Sequence, residues 1–198
     1  MKKLLYLAVP VLLLFSTVTL SNATSIIDFD IAGDPESSAE FSNIVKFLWV
    51  SDPVATLVPG LDDICFSLAP GESETFDFFD VTVGGVLGGG TADITATLAF
   101  DEPPSSGTGT GTGSWFTLFG ILSAGELSWD FQPSPINLSD GGSFEIQFSD
   151  ICEFGFGNTA TVLATVTNTT APVPEPATML LLGSGLVGVA GFRKRFRT

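Results

Sequence analysis

Apolar and polar residues alternate with period two over stretch after stretch of the middle of this chain, and that period belongs to β-strands. In Asp93 to Phe100, Ile94, Ala96, Leu98 and Phe100 share one face while Asp93, Thr95 and Thr97 share the other. Leu127, Trp129 and Phe131 oppose Glu126, Ser128 and Asp130; Phe144, Ile146 and Phe148 oppose Glu145 and Gln147; Ala160, Val162, Ala164 and Val166 line one face of 159–167. Residues 73–83, 115–122 and 24–31 read as further strands. Pro59-Gly60, Pro70-Gly71, Gly84-Gly85, Gly88-Gly89-Gly90 and Asp140-Gly141-Gly142 are turn signals between them. Short strands with regular Gly/Pro punctuation predict an all-β body, an antiparallel β-sandwich. Two stretches are less determined. Phe41, Ile44, Val45 and Leu48 recur at helical spacing, with Ser37 and Glu40 placed for a capping box, yet their residue types suit a strand equally. Pro103 to Gly113 is low in complexity and reads as a flexible loop.

Charge is segregated just as sharply. Of seven basic residues, Lys2 and Lys3 stand at the start, Arg193, Lys194, Arg195 and Arg197 at the end, and only Lys46 lies between. Of 22 acidic residues, 21 fall between Asp28 and Glu153, so the body carries a net charge of −20. Such a body repels nucleic acid and anionic membrane surfaces, which removes nucleic acid from the expected partners.

Both ends are apolar segments beside basic residues. After Lys2-Lys3, residues 4–15 are uncharged and mostly aliphatic, and the chain then turns small and polar up to Ser21-Asn22-Ala23. This is the layout of a signal peptide, residues 1–23, cut by signal peptidase between Ala23 and Thr24. Twelve helical residues reach only ~18 Å, short of a ~30 Å hydrocarbon core, which disfavours a permanent anchor. At the other end, Pro172-Val173-Pro174-Glu175-Pro176 precedes an uncharged run, 177–192, and then the basic end, 193–198. The prolines hold the approach extended and stop a helix from running back into the body. Sixteen residues make roughly 24 Å of helix, which snorkelling Arg and Lys can extend. A transmembrane helix over about 177–192 would leave Arg193, Lys194, Arg195 and Arg197 in the cytoplasm by the positive-inside rule and the body, 24–171, outside. The front signal predicts the same topology.

At these residues the chain resembles the PEP-CTERM sorting signal: Val173-Pro174-Glu175-Pro176-Ala177-Thr178, the Leu-Leu-Leu-Gly-Ser-Gly-Leu run of 180–186 and the terminal Arg-Lys-Arg. The resemblance covers about the last 26 residues. It implies a Gram-negative bacterium that makes exopolysaccharide, export across its inner membrane, and processing by an exosortase with Pro174, Glu175 and Pro176 as the recognition element. Transient membrane anchoring would be followed by release to the cell surface or extracellular matrix. The same tail also goes by the label ice-binding protein C-terminal region, which describes carriers of the tail and gives no reason to call this body ice-binding.

Within the body, Cys65 and Cys152 are the sole cysteines. Export to an oxidising compartment makes a disulfide the first expectation, and closing an 88-residue loop would stabilise by about 4.5 kcal/mol; two buried thiols are the alternative. With no His and two distant Cys, no zinc or copper ligand set is expected, and no cofactor. Asp28-Phe-Asp30-Ile-Ala32-Gly33-Asp34 begins like a calcium loop but has Ala32 and Ala39 where acidic ligands are needed. Lacking His, the chain has no Ser-His-Asp triad, and no carboxylate pair stands out, so an enzyme is not expected. The function expected is an exported structural protein of the surface or exopolysaccharide matrix. A carbohydrate-binding or adhesin-type module is the alternative, with Trp49, Trp115 and Trp129 as the aromatic faces to examine.

Overall fold

The computed structural model describes residues 26–119, 122–156, 159–171 and 183–186. Ser25–Ala171 forms one compact unit; residues 1–24 and 172–198 make up the other, of which 183–186, an exposed helical turn, is described. The predicted signal peptide, Ala23, Thr24, Pro174 to Pro176 and the terminal basic cluster therefore lie outside the described residues. Among those that are described, no helix is long and apolar enough to cross a membrane.

Among its described residues the body has twelve strands and one 3-10 turn, Leu61–Asp63. The strands are β1 Ile27–Ile31, β2 Ser38–Val50, β3 Val54–Leu57, β4 Cys65–Leu68, β5 Ser73–Thr82, β6 Gly85–Glu102, β7 Ser105–Leu118, β8 Leu122–Phe131, β9 Ile136–Asn137, β10 Ser143–Phe148, β11 Ile151–Phe156 and β12 Thr159–Asn168. They form two curled antiparallel sheets. The larger runs β11-β8-β7-β6-β1-β4, with β2 also paired to β6; the smaller runs β3-β5-β12-β10-β9. Inward residues of both sheets meet in one core that includes Phe29, Ile94, Leu98 and Phe100 from the first sheet and Phe78, Phe144, Ile146 and Val162 from the second. Phe144 sits edge-on to Phe29 at 5.0 Å and to Phe100 at 5.4 Å, joining the sheets through a triad of rings. The outward faces are held by hydroxyl pairs across strands: Thr75 to Thr165 and Thr97 to Thr108, both 2.9 Å.

The structure decides one stretch the sequence left open, and two other features depart from the sequence reading. The ambiguous 38–50 stretch is strand β2, because β6 offers it an edge over which apolar positions such as Phe41 and Ile44 pack inward. Pro103 to Gly113 is not a flexible loop: a tight turn at 103–104 leads straight into β7, where Gly107, Gly109, Gly111 and Gly113 face inward and Thr108, Thr110 and Thr112 face outward. The inward glycines leave room for the opposite sheet, since a Cβ on Gly109 would stand 2.9 Å from the Phe148 ring. Finally, Gly88-Gly89-Gly90 is part of β6 and not a turn; a Cβ on Gly90 would meet the Trp115 indole at 2.7 Å.

Ser37 shows how one polar side chain completes the larger sheet. β1 and β2 both pair with the same side of β6, β1 at Phe100 and Glu102 and β2 from Thr97 onward. At the handover, buried Ser37 accepts a hydrogen bond from Ala99 N at 3.0 Å and donates to Ala32 O at 2.5 Å. It acts here, not in a helix cap. Ser37→Ala leaves a buried N–H without this partner, and we expect it to lower stability by about 1–3 kcal/mol in urea unfolding, against no measurable change for the exposed Ser106→Ala.

Candidate functional site

The sequence-predicted bridge between Cys65 and Cys152 does not form. Both are free and exposed. Cys65 sits on β4, opposite Asp30, which registers with Glu102 at one end of β6. Cys152 sits on β11, opposite Glu126, which registers through Ser114 with Thr91 near the other end. The two cysteines thus occupy opposite corners of one sheet, five strand spacings apart and offset by roughly 36 Å along β6, where a disulfide needs Cα atoms ~4.4–6.8 Å apart.

The acidic residues of the body are scattered. Asp62 and Asp63 lie in the 3-10 turn, Asp101 and Glu102 end β6, and Asp28 on β1 accepts from Ser67 Oγ at 2.6 Å. Among the described residues no three His, Cys, Asp or Glu side chains gather where a metal ion could be held. Asn168, which begins a glycosylation-like triplet, is buried; its Nδ2 donates to Leu68 O at 2.8 Å and its Oδ1 accepts from Thr170 N, pinning the end of β12 to β4.

Of the three tryptophans, two are taken up by packing. Trp115 is buried beside Val83 and Ala92. Trp129 lies against Phe148 and donates from Nε1 to Ser149 O. Trp49 is the one left open, 76% exposed. It belongs to a pattern invisible along the chain. Strand register places side chains of the outer face of the larger sheet in rows crossing β2, β6, β7 and β8. One row runs Phe47, Gly89, Phe116, Ala124; the next toward the sheet end begins Trp49, Leu87, Leu118. With no side chain on Gly89, the Phe47 ring lies over that position, its tip 3.3 Å from where a Cβ would be. In the other direction the rows turn polar: beyond Val45, at the border, come Thr91, Ser114 and Glu126, then Ser42, Asp93, Thr112 and Ser128. Thr91, Asp93, Thr112, Ser114, Glu126 and Ser128 line an open trough of about 380 Å3, where Asn43 Nδ2 donates to Asp93 at 2.7 Å. The outer face is therefore divided into an apolar tip and a field of hydroxyls and carboxylates.

Comparison with known families speaks to the tail. The PEP-CTERM protein-sorting motif matches residues 172–195, which hold Pro174-Glu175-Pro176, the apolar run and Arg193 to Arg195. The chain carries a PEP-CTERM sorting motif. This PEP-CTERM tail indicates export, membrane-associated sorting toward the cell surface and processing by an exosortase. Searches of curated proteins and of solved structures return no match, so the comparison assigns the tail and not the body.

Proposed function

We propose that this protein is a non-catalytic structural component of the bacterial surface or its exopolysaccharide matrix, delivered by the PEP-CTERM tail and released when an exosortase cuts at or near Pro174 to Pro176. The observation that carries this reading is the tail itself: stiff Pro-Glu-Pro approach, barely spanning apolar run and basic end, in that order, within the matched residues. In this reading 177–192 holds the chain in the inner membrane of a Gram-negative cell, Arg193, Lys194, Arg195 and Arg197 keep its end in the cytoplasm, and the acidic body stands outside after signal peptidase cleaves between Ala23 and Thr24. The body's composition suits a hydrated matrix, since a net charge of −20 keeps its surface solvated.

Mass spectrometry of the C-terminus tests the proposal. In cells with the exosortase the protein should end near Pro174 to Pro176; in cells without it, Thr198 should remain. Glu175→Ala should preserve Thr198 in both. An intact Thr198 in exosortase-containing wild-type cells would reduce the tail to a plain anchor.

A further inference from the structure

We infer that the apolar tip of the larger sheet is a self-association surface, covered by the same tip of a second copy of this chain. Val45, Phe47, Trp49 and Phe116 share the outer face there, and Phe119 follows at the end of β7, 75% exposed. At ~150–250 Å2 for each fully exposed aromatic side chain, the exposed parts of the four aromatic residues add up to on the order of 500 Å2, and exposed Val45 extends the patch. That is in the upper part of the range for the largest apolar patch on a monomer, ~300–600 Å2, and more than half of the ~800 Å2 each partner buries in a standard interface.

Charge selects the occupant. None of these five residues is acidic, while 21 acids crowd the rest of the body. A basic partner would be drawn to the acidic faces and away from the tip. Another copy, at −20, is repelled everywhere except over this neutral island. A two-fold contact needs no second kind of surface, because each copy presents the same patch.

The placement leaves the rest of the molecule free. Ile27 registers with Leu68, and Asn168 bonds Leu68 O, so both ends of the body emerge beside Leu68. The tip lies at the opposite end of β6, roughly 50 Å away at ~3.3 Å per residue from Leu87 to Glu102. Association at the tip therefore leaves both ends of the body uncovered. It also proceeds through side chains and not by strand addition: register breaks between Ser42 and Val45 and between Trp49 and Val50 kink β2, the strand that edges this part of the sheet.

Formaldehyde cross-linking on intact cells and sedimentation equilibrium of the full chain in density-matched detergent test this. A cross-linked species of twice the chain mass containing this protein alone, and a reversible dimer, are expected. Phe47→Ser with Trp49→Ser should lower the dimer fraction at least tenfold without moving the unfolding midpoint, both side chains being already exposed. Phe131→Ser, an exposed aromatic away from the tip, should change nothing. Added salt should tighten the dimer by screening body-to-body repulsion. A monomer throughout, a dimer indifferent to the double substitution, or one that salt dissolves would overturn the inference. So would a monomer that binds a glycan array through Trp49, which would assign the tip to carbohydrate instead.

Discussion

Phe144→Ala is expected to cost about 3–5 kcal/mol of stability, the range for removing a fully buried phenylalanine. The ring is 0% exposed and touches Phe29 and Phe100 edge-on, so truncation opens a cavity at the junction of the two sheets. Neither neighbour can collapse into it easily. Phe29 is also stacked on Phe66 at 5.2 Å, and both rings are carried by strands whose backbones are paired. Since domains are stable by only ~5–15 kcal/mol, the loss takes a large part of the total. Urea unfolding should show a lower midpoint with an unchanged slope, because the surface exposed on unfolding is nearly the same. Phe131→Ala, at an exposed position, should stay within about 0.5 kcal/mol. A loss below 1 kcal/mol for Phe144→Ala would mean that the sheets do not meet at this triad.

Gly109→Val is the second large effect, and it runs against the intuition that a Thr-Gly repeat tolerates anything. The new Cβ would fall 2.9 Å from the Phe148 ring and 3.2 Å from Phe131 O. The Phe148 ring cannot step aside, since it is stacked on Phe78 at 5.4 Å and against Trp129 at 4.9 Å. Overpacking of this kind costs about 1–3 kcal/mol. Thr110→Val, one residue on and facing out, should be nearly neutral or slightly stabilising, as β-branched residues fit a pleated surface. Were 103–113 a loop, the two substitutions would behave alike; a difference in midpoint between them is the measurement that decides.

Of these two positions, Phe144 lies where the sequence was plainest and Gly109 where it was hardest to read. Alternation in 93–100, 143–148 and 159–167 is a local signal, and strands stand there with the expected faces inward. It failed at Phe78-Phe79, where both rings are fully buried. A register break opposite Val162 and Leu163 inserts an extra residue and turns two successive side chains into the core. The Thr-Gly run likewise looked like a linker because its inward residues have no side chains; their role is defined by Ile146 and Phe148, some 40 residues on. The cysteine bridge was a compartment argument, and only strand order could place Cys65 and Cys152 at opposite corners.

The tail was legible from residues alone because a sorting motif is contiguous: the match over 172–195 takes in Pro174, Glu175, Pro176 and the run that follows as one linear segment. Strand identity and the layout of charge are contiguous in the same sense, being written in the period and sign of neighbouring residues. The apolar tip is not. Phe47, Gly89 and Phe116 come from three strands and acquire meaning as a row when register aligns them, and Trp49 stays in solvent because it stands on the outer face of the larger sheet, while Trp115 and Trp129 turn toward the core. Register and sheet overlap are long-range quantities, decided by packing across the core and not by any stretch of chain read in isolation.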